Sequence, residues 1–383
     1  FPYTTLFRSP IYFTIFSANI TIKNTSCLIS ILTLTKNPSM KKTALNEIHQ
    51  SHGAKLVEFA GFSMPIQYDG IIAEHNHTRT QAGMFDVSHM GQAWLEGAGA
   101  QEFVSTLTPT DFAKAESHQA KYTVLLNKNN GIVDDLIITK ITPEKFFIVY
   151  NAGCREKDEA HIKSKLPANL VFTPLDKSLI AVQGPKAESI LQTIFPSLPQ
   201  KYMTMEIQGD IYISRLGYTG EDGFELSVPN EKAAEIWNKI LASGVVKPVG
   251  LGARDSLRLE MGYPLYGHDI NDETSPIDAS LGWVMPKERR EKFKQPKRKR
   301  VGIEILDKAI AREGAPIFDD KENKIGVITS GGFSPTLQRP IAQGYVDIDF
   351  AGLGHNIKIE LRGNKLPAKV APLFFVKPKT KQG

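Results

Sequence analysis

An α+β fold is what this sequence predicts, and three observations carry the expectation. From Met40 onward, short runs rich in Val, Ile, Thr and aromatic residues recur between Gly, Asn and Pro, as strands do. Among them lie stretches of helical spacing that stop at glycine or proline. Beyond Val301 the chain changes to short apolar strands divided by Gly, Pro and Asn turns, the pattern of a small β-barrel.

The elements follow in order. Residues 45–52 read as a short helix ended by Gly53, and 71–82 as a helix ended by Gly83. Phe85-Asp-Val-Ser-His-Met-Gly91 comes next as strand or tight turn. Asn129-Asn-Gly131 separates the apolar runs 122–126 and 132–139, and Asn-Gly between such runs is the strongest short hairpin signal. Residues 146–150 continue as a strand. Helices are expected over 156–165, 185–194 (after Gln183-Gly-Pro, with proline at a helix start), 231–242 and 253–261, the last ended by Gly262 and Pro264. Residues 287–300, crowded with mixed charge around Pro296, read as an exposed basic linker, which divides a body over 40–286 from a barrel over 301–383.

The first 39 residues stand apart. They contain no acid, interrupt their apolar residues with polar ones, and end before Met40-Lys-Lys, which looks like a bacterial start. The opening Phe-Pro-Tyr-Thr-Thr-Leu-Phe-Arg-Ser resembles an in-frame translation of a sequencing adapter, so 1–39 is expected to be a non-native leader; a targeting peptide is the rival reading.

The 383 residues allow two or three domains, and 41% hydrophobic with 23% charged residues is an ordinary globular balance. Arg8, Lys23 and Lys36 supply three of the five net positive charges, which leaves +2 on the rest. So weak a charge gives no support for a nucleic-acid groove. Cys27 and Cys154 make no disulfide framework, which fits a reducing compartment such as the cytoplasm. No run is long and apolar enough to span a membrane as a helix.

Four places carry chemistry. Arg215-Leu-Gly-Tyr-Thr-Gly-Glu-Asp-Gly-Phe-Glu225 packs glycines, a tyrosine and acids between two strands; it reads as a ligand loop or as a long hairpin turn. Asp134 and Asp135 follow the hairpin turn, and strand alternation sends them to opposite faces, Asp135 with Val133, Ile137 and Thr139, and Asp134 with Ile132, Leu136 and Ile138. Either the carboxylate on the buried face is desolvated and fit for proton exchange, or both merely solvate the hairpin mouth. Arg254 and Arg258, four apart, share a helix face and can fork onto a carboxylate, or onto Asp255 or Glu260 as a weak surface pair. His75, His77 and His89 invite a metal, but no ligand spacing accompanies them. No phosphate-cradling or dinucleotide glycine motif is present, so neither metal nor nucleotide is expected.

Taken together, Glu74-His-x-x-Thr-Arg79, Phe85-Asp-Val-Ser-His-Met90, Gly131-x-x-Asp-Asp-Leu, Tyr150-Asn-Ala-Gly-Cys154, Gln183-Gly-Pro, Gly217-Tyr-Thr-Gly-Glu-Asp-Gly-x-Glu225, Ala253-Arg-Asp-Ser-Leu-Arg-Leu-Glu260 and Thr329-Ser-Gly-Gly-x-Ser-Pro-Thr-Leu337 resemble the T-protein of the glycine cleavage system. The resemblance implies three lobes, two interleaved α+β lobes and a C-terminal β-barrel, around a central folate channel. It implies an aminomethyltransferase that moves a methylene from an aminomethyl group on a lipoylated H-protein-like carrier to tetrahydrofolate, releasing ammonia. By the same matching Asp135 is the key carboxylate, hydrogen-bonding a folate nitrogen; Tyr218, Glu225 and Arg254 hold the folate; and Tyr122, Asn151 and Met90 are wall residues. Two relatives in the superfamily fit less well. Iron–sulfur maintenance proteins carry a cysteine in the loop where this chain has Gly217 to Gly223, and amine-oxidising enzymes need a flavin domain that no motif here announces. A non-enzymatic binding protein of the same fold is the remaining alternative, against which Asp135 speaks.

Overall fold

The computed structural model describes residues 40–381, so the expected leader lies outside the described residues. Eleven strands form the large sheet, in the spatial order Val246–Pro248, Ala82–Asp86, Lys177–Gln183, Gly223–Pro229, Ile211–Arg215, Thr204–Gln208, Gln119–Leu126, Ile132–Thr142, Lys145–Tyr150, Gly91–Glu96 and Val171–Leu175. All neighbours are antiparallel except Val246–Pro248 on Ala82–Asp86. Near its middle the sheet is joined only through the pairing of Thr204 with Gln119. The chain visits one half with Ala82–Asp86, crosses to the other with Gly91–Glu96, and returns with Lys177–Gln183, so the halves interleave in sequence.

Each half owns a core. One gathers Met84, Val182, Phe224 and Trp237, the other Phe103, Phe112, Leu136 and Phe146. The helices covering them show why they form: Asn230–Leu241 buries Ala233, Ile236, Trp237 and Ile240, and Ala100–Leu107 buries Ala100, Phe103, Val104 and Leu107. Those positions recur at three and four residues, one stripe of a helix. Burial of each large apolar side chain contributes about 1.5–3 kcal/mol.

Residues 298–371 close a six-strand barrel in the order Arg298–Ile305, Arg339–Asp347, Lys324–Ser334, Pro316–Phe318, Asn356–Leu361 and Asn364–Ala371. Closure leaves no open sheet edge, and Ile303, Ile317, Ile328 and Ile359 fill the interior. The sequence-based α+β class with a terminal barrel is therefore what the structure has. The charged stretch is less of a connector than its composition suggests. Lys287–Arg290 forms a helical turn, the barrel's first strand opens at Arg298, and Arg300 is buried because its guanidinium finds the oxygens of Ala279, Gly262 and Gln343. After the barrel the tail runs back over the large sheet's loops, with the Phe375 and Lys379 amides donating to the carbonyls of Glu260 and Gly220.

The Asn-Gly hairpin forms as expected, and its turn explains the glycine. The Asn127 side chain accepts from the amides of Asn129 and Gly131, and a Cβ on Gly131 would lie 1.7 Å from the Asp272 carbonyl oxygen. The expected alternation along the second strand fails at its start. Leu125 faces Asp134 while Leu126 faces Ile132, which leaves Val133 as a bulge. Val133 thereby packs with Leu136 and Ile138, on the side of Asp134, and Ile132 packs with Val124 and Tyr122, on the side of Asp135. The two carboxylates still diverge, but their nearest apolar neighbours exchange sides.

Candidate active site

Asp135 sits on the sheet face it shares with Tyr122, opposite Val124 in register. The Tyr122 hydroxyl donates to its Oδ2 at 3.0 Å and Asn151 Nδ2 to its Oδ1 at 2.8 Å. The same amide nitrogen lies 2.9 Å from Asp134 Oδ1, and the Asn151 backbone N–H donates to Asp134 Oδ2 at 3.1 Å. Asn151, at the end of the Lys145–Tyr150 strand, thus ties both aspartates to the next strand. Asp135 is 9% exposed. Burial, and then the charge of Asp134, raise its pKa well above the ordinary carboxylate range, while the bonds from Tyr122 and Asn151 pull it back. The hairpin-mouth reading therefore fails: both carboxylates are inside.

Aromatic surfaces flank this carboxylate. Trp283, 64% exposed, stacks on Tyr122 with ring centres 5.6 Å apart and 22° between planes. Tyr218 stacks on Tyr263 at 5.6 Å and 24°, its hydroxyl held by the Pro264 carbonyl. The Arg254 guanidinium lies 4.6 Å over the Tyr218 ring. Glu225, on Gly223–Pro229, has its pKa raised to about 7 by burial, against the pull of Arg254. Tyr122, Tyr218, Glu225 and Arg254 are all half-buried: protein surrounds them on most sides, yet solvent reaches each, as it does along a concave wall. Met90 is half-buried against the cluster holding Ala253 and Leu257, on the same helix as Arg254. No hydrogen-bond partner among the described residues engages the Arg254 guanidinium or the Glu225 carboxylate.

The loop from Gly217 to Gly223 is clamped rather than free. Gly220 has φ +77°, and a Cβ there would lie 2.2 Å from Met261 Sδ. Thr219 donates to Gln183 Oε1 at 2.9 Å, and its carbonyl accepts from Arg79. Arg215, fully buried, forks onto Glu188 and Asp222. Of the motif's acids, Glu221 and Asp222 are consumed by Arg79 and Arg215, and Glu225 is left over. Arg258, the partner of Arg254 in the sequence reading, belongs to the framework: it bonds Asp269 at 2.8 Å and Ser330 of the barrel at 3.0 Å. The three histidines do not converge. His75 bonds Ser256 and Thr336, His77 bonds the Val245 carbonyl, and His89 packs edge-on against Phe59.

This geometry has known counterparts. The model of the GCVT N-terminal domain matches residues 45–289, and that of the glycine cleavage T-protein C-terminal barrel domain matches residues 298–377. Aminomethyltransferase of Chlorobium luteolum is 42% identical over 361 residues, covering 88% of this chain and 99% of the relative. That of Flavobacterium psychrophilum is 43% identical over 359 residues, covering 88% and 100%. The crystal structure of glycine cleavage system aminomethyltransferase T from Bartonella henselae aligns with a TM-score of 0.86 at 41% identity, covering 89% of this chain and 99% of that one.

The chain belongs to the glycine cleavage T-protein family. Aminomethyl transfer in the glycine cleavage system is its activity, and the family as a whole depends on folate. Within this T-protein fold, the sequence reading did not single out Trp283, a lone tryptophan with no periodic context, nor Asp158. Asp158 did leave a signal. It precedes the buried Ile162 by four residues on Arg155–Lys163 and so puts an acid on the helix's inner face. Among the described residues, no helix is long and apolar enough to cross a membrane.

Proposed function

We propose that Asp135 is the catalytic carboxylate of this aminomethyltransferase, and that the Tyr122–Trp283 and Tyr218–Tyr263 stacks bound a slot for the pterin of tetrahydrofolate. The observation that carries the reading is the combination of a desolvated Asp135, held by Tyr122 and Asn151, with the free charges of Glu225 and Arg254. A pterin presents two donors, its 2-amino group and N3–H, beside one acceptor, O4. Glu225 accepts from the donors, and Arg254, near enough for each charge to act on the other, donates to the acceptor. That proximity supports a role for Arg254 at the ring. Met90 closes the apolar wall below the helix of Arg254.

Asp135 accepts a hydrogen bond from the folate N–H that will attack, which fixes the ring and raises the electron density on that nitrogen. The carbon between the carrier's lipoyl sulfur and its amino group then exchanges both bonds: it bonds to this nitrogen and to the second folate nitrogen while its bonds to the amine and to the sulfur break, and the two folate N–H protons leave with them, one on ammonia and one on the dihydrolipoyl thiol. Most of the acceleration comes from holding the two reactants in one slot, where a bimolecular encounter becomes effectively unimolecular. The carrier is a lipoylated H-protein of the same system, the reaction needs no metal or nucleotide, and it takes place in the cytoplasm. If the carrier is acidic, the mildly positive net charge speeds their encounter.

The deciding experiment supplies tetrahydrofolate and aminomethyl-loaded lipoyl carrier to the protein started at Met40, with Asp135→Asn beside it. Methylene-tetrahydrofolate from the unaltered protein and a loss of at least about a hundredfold in the variant is the expected outcome. Comparable turnover in the variant removes Asp135 from its role. Folate binding without product from either protein points to a folate-binding non-transferase.

A further inference from the structure

Behind Asp135 the fold buries two carboxyls that the reaction above leaves unused. Asp134 and Asp158 are both 0% exposed, and their oxygens lie with Cys154 Sγ inside a sphere of contacts no wider than 4.8 Å. Asp134 has donors, the backbone and side-chain N–H groups of Asn151. Asp158 has none: neither of its oxygens meets a hydrogen-bond donor among the described residues. An ionised carboxylate there would bear several kcal/mol of desolvation with nothing bonded to it, beside a second anion. A single proton shared by the two carboxyls removes both penalties.

We propose that Asp158 is kept as a neutral acid whose O–H donates to Asp134, and that this pair, acting through Asn151, positions Asp135 and sets its charge. Asp158 is thus a positioning residue, and the proposal rests on Asp135 working in the folate site. The surroundings agree. Burial first and Asp134 second push the Asp158 carboxyl strongly upward, Lys157 opposes, and Asp135 adds to the rise. From the neighbouring elements, Tyr122 faces Asp135, and burial keeps the Cys154 thiol protonated. Lys157 is engaged elsewhere, by the Val133 carbonyl, the Tyr266 hydroxyl and Asp272. Among the described residues the pair is therefore left without a direct cation, and the proton does its work. The arrangement also fixes charge where it matters: one negative charge on Asp134, next to Asp135, holds the Asp135 pKa up.

Infrared difference spectroscopy of the full chain at about pH 8.5, above the range in which Glu225 titrates, reads the proton directly. The carbonyl stretch of a buried neutral carboxylic acid is expected in the unaltered protein and absent from Asp158→Asn. In kinetics, Asp158→Asn, whose amide still donates to Asp134 and carries no charge, should retain kcat within about threefold and leave the acid limb of kcat/KM in place. Asp158→Leu, which donates nothing, should lose about tenfold or more in kcat, with a smaller change in KM. Asp134→Asn should move the acid limb to lower pH. The proposal is overturned if the acid band is missing, or if Asp158→Asn shifts the limb down by about half a unit or more, as loss of a real anion would. Stoichiometric metal that Asp158→Asn loses would equally overturn it, with a cation in the proton's place. If Asp158→Leu does not fold, the spectrum of the unaltered protein still decides. That spectrum does not depend on turnover, so failure of the folate reading leaves it unchanged.

Discussion

Removing one hydroxyl, in Tyr122→Phe, tests how the protein tunes its carboxylate. Two side-chain hydrogen bonds hold the ionised form of Asp135, from Tyr122 at 3.0 Å and from Asn151 at 2.8 Å, and both oppose the upward push of burial. A hydrogen bond to a charged group contributes about 1.5–3 kcal/mol. At about 1.36 kcal/mol per pKa unit, its loss would raise Asp135 by about one to two units. Solvent reaches the half-buried Tyr122 position and replaces part of the bond, so the lower end, about one unit, is expected. The assay is the pH profile of kcat/KM, whose acid limb reports the free enzyme's essential carboxylate. That limb should move up by about one unit, with activity below it falling roughly tenfold and the alkaline plateau kept within a few-fold. Phenylalanine retains the ring that stacks on Trp283, so the melting temperature should change little. An unmoved limb with an equal loss at every pH would refute the reasoning and make Tyr122 a substrate contact alone.

Two other perturbations test the remainder of the framework. In Glu225→Gln the sign follows from the raised pKa: the folded state holds the proton more tightly, so the carboxyl's contribution is intact below about 4.5 and lost as pH rises through about 7. The variant should therefore melt higher than the unaltered protein at pH 8 and equally at pH 4, while tetrahydrofolate binding measured by calorimetry weakens. Glu260→Ala removes the acceptor shared by Arg79, Ser334 and Thr336 and leaves the Arg79 cation buried; it should cost about 3–5 kcal/mol in denaturant unfolding, and a loss under about 1 kcal/mol would show the network is dispensable.

How much of this was legible in the residues depended on whether the signal was local. The helices over Asn230–Leu241 and Leu251–Glu260 each carry their period within a dozen residues, and the Asn-Gly hairpin and the change of texture at the barrel are local too. The bulge at Val133 is not, because it arises where Gly131 must pass beneath the Asp272 carbonyl, more than a hundred residues away. The same limit governs the site. Asp135, Tyr218, Glu225 and Arg254, the residues proposed for the folate site, each stand in a run of residues with a recognisable order. The stack of Trp283 on Tyr122 leaves no mark within its own segment, and the spacing of Asp158 from Ile162 announces an acid on the inner face of its helix but not its closeness to Asp134. Arg300 shows the opposite error: a local excess of charge read as exposure, when three distant oxygens had made a buried place for it.

The arginines show how the fold separates scaffold from site. Arg79, Arg215, Arg258 and Arg300 are all buried, and each distributes its donors over at least three groups, at least one of them in a distant segment. Their desolvation is already offset inside the protein, so an incoming anion would have to break bonds to use them, and they bind lobes rather than ligands. Arg254 is half-buried instead; among the described residues its guanidinium is held only by the Tyr218 ring, and burial pulls its pKa down. Glu225 is in the matching condition, an acid pushed up by burial with no donor among the described residues. Two opposite charges kept near one another yet not bonded to each other are costly to maintain unless a third group bonds both. A ring with donors along one edge and an acceptor beside them is such a group, and among the described residues no side chain bonds both charges.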